Sequence, residues 1–182
     1  MGTVFVDNLE PQSGTSLTLG ASGDTVNLGS GGTVTNTPAF YGELPSDQVV
    51  SRDTSTKLTG MTQNEIDTDS AFDGTTFTVP SNKAGKYYIY AHVLGNFSDC
   101  GNDGEKIIIN IFKNGSSVKE SNYNSAANNQ LISFGAFVSM TLDLSASDTI
   151  EAYITLADAS ANTGMKANDN HTYLGGYRLI GA

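Results

Sequence analysis

The clearest hydrophobic pattern in the chain is strict alternation over residues 131–144. The even positions Ile132, Phe134, Ala136, Val138, Met140, Leu142 and Leu144 are all apolar, while the odd ones include Ser133, Ser139, Thr141 and Asp143. Period two held over that length predicts a strand with one face in a core. Residues 86–94 alternate in a different way, with Tyr87, Ile89, Ala91 and Val93 on one face and Tyr88, Tyr90, His92 and Leu94 on the other. Residues 105–113 set Ile107, Ile109 and Ile111 against Ile108, Asn110 and Phe112, and 149–156 turn Ile150, Ala152, Ile154 and Leu156 inward. A closing strand is predicted over 172–180, with weaker ones near 39–44, 56–61 and 75–79. No stretch carries a helical period, so residues 39–182 are expected to be all-β.

The connections predict how the strands are arranged. Asn114-Gly115 has the composition of a two-residue primed hairpin turn joining 105–113 to 117–123. Ser145–Asp148 is a second short turn. The connections 95–104, 124–130 and 157–171 are long. In a sandwich of up-and-down strands the short turns 81–85, 114–115 and 145–148 fall at one end, together with Pro38 and the C-terminus. The three long loops gather at the other end, where recognition commonly resides.

Residues 1–38 read differently. A degenerate repeat runs SGTSLTLGA from Ser13, SGDTVNLG from Ser22 and SGGTVTN from Ser30. Each unit is a Ser-Gly turn followed by a short alternating strand, with Leu17, Leu19, Val26, Leu28 and Val34 on the apolar phase. So few aliphatic side chains cannot offset the conformational entropy of ordering the segment, which should not fold alone. It is either a flexible Gly/Ser/Thr linker or a shaft in which several copies wrap together, each covering the apolar side of the next.

Charge separates the same two regions. The 182 residues carry a formal net charge of −10, yet residues 1–51 contain no Lys or Arg. The acidic balance disfavours nucleic acid and anionic membrane as partners. No apolar run approaches the roughly 20 residues of a membrane span, and the start, MGTVFVDNLEPQ, shows no signal-peptide pattern. Assembly in a cytoplasm without membrane insertion is expected. A single cysteine, Cys100, leaves no internal disulfide framework and no cationic neighbour to activate it.

Four segments carry a family resemblance. Gly85-Lys86-Tyr87-Tyr88-Ile89-Tyr90-Ala91-His92-Val93 resembles the Gly-x-Tyr-x-Phe to His-Val strand of complement C1q-type globular heads. Ile111-Phe112-Lys113-Asn114-Gly115 resembles their Phe-Lys-Asn hairpin, and Leu142-Asp143-Leu144 with Asp148-Thr149-Ile150 resembles their Leu-x-Leu to Gly-Asp-x-Val step. Ser147 stands where that turn usually has Gly. Tyr173-Leu174-Gly175-Gly176-Tyr177-Arg178-Leu179 resembles the closing Phe-x-Gly-x-x-Leu strand. The resemblance implies a ten-stranded jelly roll of the C1q and tumour-necrosis-factor type, assembled as a homotrimer. No Gly-x-y collagen stalk is present. The 13–35 repeat is similar instead to the Ser-Gly-Thr-rich leaders of short fibre proteins in tailed bacteriophages.

Two regions are therefore expected: an attachment segment and shaft over 1–38, and a jelly-roll head over 39–182. The expected function is a non-enzymatic fibre or knob on a virion surface, held to other virion proteins by its N-terminal segment and touching host glycan or protein at its tip. The alternatives are a structural decoration or adaptor with no host ligand, and a cellular adhesin or lectin of the same fold. Ligand contacts are expected from Asn96, Asp99, Asn102, Asp103, Tyr123, Asn128, Asp158, Asn168, Asp169 and His171 in the distal loops. Trimer contacts are expected from Leu17, Leu19, Val26 and Leu28 in the shaft. Tyr88, Tyr90 and His92 face either the trimer axis or the inside of the subunit.

No cofactor is required by the motifs present, and no catalytic residues are expected. His92 sits in a strand motif, and His171 has no nucleophile motif beside it. Asp99 to Glu105 resembles a calcium loop, but Gly101 and Asn110 stand at the third and twelfth positions, where an EF-hand needs an oxygen ligand and a Glu. A calcium site of another kind, drawn from Asp99, Asp103 and Asp169, is the one metal expectation.

Overall fold

The computed structural model describes residues 9–11, 13, 17–22, 24–27, 30, 37–97, 105–125, 133–158 and 166–180, with the side chains of 63–65 and 158 excepted. The chain divides into two compact units, residues 1–35 and 36–182.

In the first unit, the described parts of the repeat form no strand. Leu17, Leu19 and Val26 are 43%, 58% and 57% exposed. A turn closes at Ala21–Asp24, where Ala21 N–H donates to Asp24 Oδ2 (2.7 Å) and Asp24 N–H to the Ala21 carbonyl (3.0 Å). The expected short strands are thus not formed over 17–19 and 24–27, for a simple reason. Alternation alone makes no strand when the apolar phase has nothing to pack on and the backbone has no neighbour to pair with.

The second unit contains twelve strands among the described residues: β1 (Ala39–Glu43), β2 (Gln48–Val49), β3 (Thr56–Lys57), β4 (Thr62–Asp67), β5 (Thr76–Thr78), β6 (Gly85–Asn96), β7 (Glu105–Lys113), β8 (Ser116–Asn124), β9 (Ser133–Leu144), β10 (Thr149–Asp158), β11 (Lys166–Ala167) and β12 (Tyr173–Arg178). They form two antiparallel sheets. The first runs β4-β1-β12-β6-β9, with β11 also pairing with β6 and β2 with β11. The second runs β10-β7-β8, with β3 and β5 both pairing with β10. The chain crosses between sheets after β2, β3, β4, β5, β6, β8, β9 and β10, which makes a jelly roll rather than two separate meanders.

The core follows the predicted phases. Tyr87, Ile89, Ala91 and Val93 of β6 are fully buried, as are Ile107, Ile109 and Ile111 of β7 and Ile150, Ala152, Ile154 and Leu156 of β10. Ala136, Val138 and Leu144 of β9 are buried, with Phe134, Met140 and Leu142 packed against them. Phe40 stacks on Phe77 with centroids 4.1 Å apart, joining β1 to β5 across the sandwich. Tyr87 brings a hydroxyl into this core and donates it to the Lys83 carbonyl (2.6 Å); burial pushes its pKa up to about 12.

Three expectations are corrected. The polar run Thr62–Asp67 is an edge strand, paired among the described residues with β1 alone. The stretch 56–61 shortens to the two residues of β3. The connection 157–171 contains β11, so it is interrupted by a pairing to Gly95 and Asn96.

Register puts the short turns at one end. Gly85 pairs with Leu144, Lys113 with Ser116 and Ile150 with Lys113, and Arg178 N–H donates to the Pro38 carbonyl (2.9 Å). Asn114 and Gly115 both adopt positive φ (50° and 75°), as a primed turn requires. Ser147 also holds a positive φ of 70°, a conformation that costs a residue with a Cβ about 1–2 kcal/mol.

Asp148 pins this end. Its Oδ1 accepts from Asn114 Nδ2 (2.8 Å), its Oδ2 from Ser145 N–H (2.8 Å), and Lys113 Nζ lies 2.9 Å from Oδ2. The Asn114 amide, then the Lys113 ammonium, lower its pKa to about 2 from an ordinary 3.8. A depressed carboxyl adds stability above its unfolded pKa and loses it as pH falls through the folded one. Chemical unfolding of Asp148→Asn should therefore show a loss of about 1–2 kcal/mol near neutral pH. Between about pH 4 and pH 2 the variant should lack the steep decline of the parent.

Candidate functional site: the aromatic face of the first sheet

The alternation that buries Tyr87, Ile89, Ala91 and Val93 turns Tyr88, Tyr90 and His92 to the opposite side of the first sheet. In the single chain these three are half-buried on the side of the first sheet opposite the core. Neighbouring strands supply matching residues in three rows across the sheet. The first row is Ala39, Tyr177, Tyr88 and Thr141; the second is Ile66, Tyr41, Gly175, Tyr90 and Ser139; the third is Thr62, Glu43, Tyr173, His92 and Phe137. Five tyrosines and a histidine form one continuous surface.

The rings touch one another. Tyr88 lies 5.9 Å from Tyr90 and 5.6 Å from Tyr177, Tyr90 lies 6.2 Å from Tyr173 edge-on, and Tyr41 lies 5.6 Å from Tyr173. His92 stacks on Tyr173 at 5.4 Å. Its Nδ1 donates to the His171 carbonyl (2.6 Å), which fixes the ring orientation. Two glycines make room for the layer. A Cβ at Gly175 would stand 2.6 Å from the Tyr90 ring, and one at Gly135 would stand 2.6 Å from His92 Nε2. Tyr90 and His92 therefore lie flat across neighbouring strands instead of standing off the sheet.

The surface is apolar and only half covered. Ile66, Tyr177 and Phe137 are 44%, 45% and 45% exposed in the single chain. Burial raises the Tyr41 pKa to about 12, helped by its hydrogen bond to Glu43 Oε2 (3.1 Å) and the charge there. Burial likewise raises that of Tyr90. These phenols stay neutral across the physiological range, so the face carries hydroxyl donors and one paired carboxylate.

The predicted ligand residues separate into two groups. Asn96, Asn168, Asp169 and His171 stand at the distal end of the first sheet: Asn96 pairs with Lys166, Asn168 N–H donates to the Leu94 carbonyl (2.9 Å), and Asp169 N–H donates to Asp47 Oδ1 (3.1 Å). Lys166 and Asp47, 3.3 Å apart, belong to the same group and carried no sequence signal. Tyr123 and Asp158 lie on the second sheet, within β8 and β10, not in loops. Tyr123 is 51% exposed and opposite Ile107. Asp99, Asn102, Asp103, Asn128 and Leu28, with Cys100, lie outside the described residues.

Other concave surface is polar. A cleft of about 430 Å³ at the short-turn end is lined by Asp69, Ser70, Asp73, Thr76, Thr78 and Ser147 among others. Asp73 Oδ1 is already engaged there by the N–H groups of Thr75 and Thr76 (2.9 and 2.7 Å). Among the described residues no group of three or more His, Cys, Asp or Glu side chains is placed to hold a metal ion.

This architecture, a two-sheet jelly roll with an aromatic outer face on the sheet that holds both chain ends of the head, defines a globular domain of the C1q and tumour-necrosis-factor fold. The structure of Eiger TNF from S. frugiperda superposes with a TM-score of 0.56 at 13% identity, over 80% of this chain and 94% of that one. The globular domain of zebrafish complement 1qA protein superposes with a TM-score of 0.52 at 14% identity, over 79% of this chain and 98% of that one. Murine APRIL at pH 5.0 gives 0.52 at 14%, over 79% of this chain and 100% of that one. No family model matches the sequence, and no curated protein matches it either.

The clearance at Gly175 is directly testable. Gly175→Ala should force Tyr90 off the sheet and destabilise the head by about 1–3 kcal/mol in thermal unfolding, with altered tyrosine near-ultraviolet dichroism.

Proposed function

We propose that the chain is a non-enzymatic homotrimeric knob, in which three copies bury the aromatic face of the first sheet around a common axis. The observation that carries the proposal is the unpartnered layer of Tyr41, Tyr88, Tyr90, Tyr173, Tyr177 and Phe137. An apolar surface of this size and continuity on a soluble domain marks an interface, and tyrosine suits one that is partly wet. The exposed Leu17, Leu19 and Val26 support the same arrangement, since three shafts side by side would give each an apolar neighbour.

The context we propose is a bacteriophage virion. Residues 1–38 attach the knob to other virion proteins as a short tail or head fibre, and the distal loops present Asn, Asp and Tyr side chains to host surface glycan. Three weak sites held on one rigid head then gain effective concentration and bind by avidity. The support for this context is the resemblance of the 13–35 repeat to phage fibre leaders, together with the gathering of the long connections at the end opposite Pro38.

Sedimentation equilibrium tests assembly. The expected mass is about three times the 19.1 kDa chain. Tyr177→Glu combined with Phe137→Glu should yield monomer with an unchanged far-ultraviolet β spectrum. A parent protein that is monomeric at micromolar concentration overturns the trimer. Glycan-array binding lost on trimming 98–104 and 159–165, with the trimer intact, supports host recognition. Particle binding without any glycan signal instead makes the chain a decoration protein.

A further inference from the structure

Asn114-Gly115 is the one Asn-Gly pair in the 182 residues. Such a pair can react with itself, because glycine puts no side chain in the way of its own backbone nitrogen. The Gly115 nitrogen bonds to Asn114 Cγ and the Cγ–Nδ2 bond breaks. The proton of that nitrogen leaves with the amide group as ammonia, and a succinimide ring remains. One water then opens the ring, giving aspartate from one carbonyl and isoaspartate from the other. No reagent besides water is consumed.

Nothing beside Gly115 shields the pair. A Cβ built there would meet no atom within 4 Å, and Asn114 is itself exposed. What restrains the amide is the neighbouring turn. Asn114 Nδ2 donates to Asp148 Oδ1 (2.8 Å), and Asn114 Oδ1 accepts from Thr149 N–H (2.8 Å) with the Thr149 hydroxyl 3.3 Å away. The Asn114 N–H donates to the Thr149 carbonyl (3.0 Å), so backbone and side chain are both tied to the start of β10. Cγ is attacked perpendicular to the amide plane, and a plane held at both ends cannot turn to meet the nitrogen.

We propose that Asn114 is a deamidation site that the folded head keeps closed through Asp148 and Thr149, and that reacts when the short-turn end opens locally. Opening an exposed hairpin end takes far less free energy than unfolding the sandwich. The reaction would make the opening permanent. Aspartate at 114 sets a carboxylate oxygen against Asp148 Oδ1 in place of a donor, and like charges so close repel. The Asn114 hydrogen bond is also the first cause of the lowered Asp148 pKa, about 2, so Asp148 becomes easier to protonate. Isoaspartate adds a methylene to the backbone between residues held at φ of 50° and 75°, which a two-residue primed turn cannot accommodate. The reaction needs neither the trimer nor a ligand.

The full chain would be incubated at mildly alkaline pH, in buffer and in denaturant, and followed at Asn114 by peptide mapping that separates amide, aspartate and isoaspartate. Loss of the amide is expected to be at least about tenfold slower in the folded chain. Asp148→Ala, which removes the partner of Nδ2, should raise the folded rate by at least about threefold. Val93→Ala, a truncation of a fully buried side chain on β6, should leave it unchanged. Asn114→Asp should melt at least about 3 °C below the parent near neutral pH. That gap should narrow by about pH 4, as one of the two facing carboxyls takes up a proton. Equal rates in folded and denatured chain overturn the proposal, as does an equal acceleration in Val93→Ala and Asp148→Ala. Should Asp148→Ala fail to fold, an Asn114→Asp chain that melts with the parent at neutral pH overturns it equally.

Discussion

Strand β6 sets the head's geometry because its side chains from Tyr87 to Val93 are each committed to one of two largely apolar environments. It pairs with β9 over all twelve of its residues and with β12 and β11 along its other edge. The odd side chains Tyr87 to Val93 fill the core, and the even ones from Tyr88 to His92 build the aromatic layer outside it. A one-residue slip of this strand would exchange the two sets, putting hydroxyls and an imidazole in the core and aliphatic groups on the surface. Register is therefore fixed by the same alternation that leaves the outer face wanting a partner. Core and aromatic outer face are two sides of one constraint.

The two ends of the sandwich are built on different principles. At the short-turn end, polar groups are satisfied within the chain: Asp148 draws on Asn114, Ser145 and Lys113, and Lys113 Nζ also donates to the Asp143 carbonyl (2.9 Å). The turn even sustains Ser147 at positive φ. At the distal end, polar atoms are left over. Glu105 Oε1 and Asn168 Oδ1 are the buried side-chain oxygens without partners among the described residues, and both lie where the long connections start or finish. A closed end suits attachment to a rigid neighbour. An end with unspent acceptors is chemically suited to receive hydrogen-bond donors from outside.

Much of the fold was legible because the long strands are half-buried and carry period two without interruption. Residues 133–144 and 86–94 disclosed their core faces directly, residues 131 and 132 lying outside the described ones, and Asn114-Gly115 disclosed the hairpin even though β8 itself is polar. What escaped was of two kinds. Thr62–Asp67 is an edge strand, held by backbone pairing to β1, and backbone pairing leaves no apolar signature. β2, β3 and β11 are two residues long, below any period. At the site, Tyr88, Tyr90 and His92 were visible as a face, but Tyr41, Tyr173, Tyr177, Phe137 and Ile66 joined it only through strand order, which no local pattern encodes. Glu105 read as the first residue of the 105–113 strand, at the end of the Asp99–Glu105 stretch; its burial comes from the sandwich around it.

Charge bears on how such a face can be used. A trimer of chains at −10 each would carry −30, which long-range repulsion resists unless the contact surfaces themselves are neutral. The three rows of the aromatic face meet that condition. Their one ionisable acid is Glu43, tied to the Tyr41 hydroxyl, and no Lys or Arg stands among them. The nearest opposed charges on that side, Lys86 and Asp143, are a cross-strand pair one row beyond the layer, towards the short-turn end. Acidic side chains are thus kept to the periphery, where solvent and salt screen them. In the proposed trimer the neutrality of the face and the acidity of the rest would work together: hydrophobic burial would drive that contact, while net charge would discourage any other.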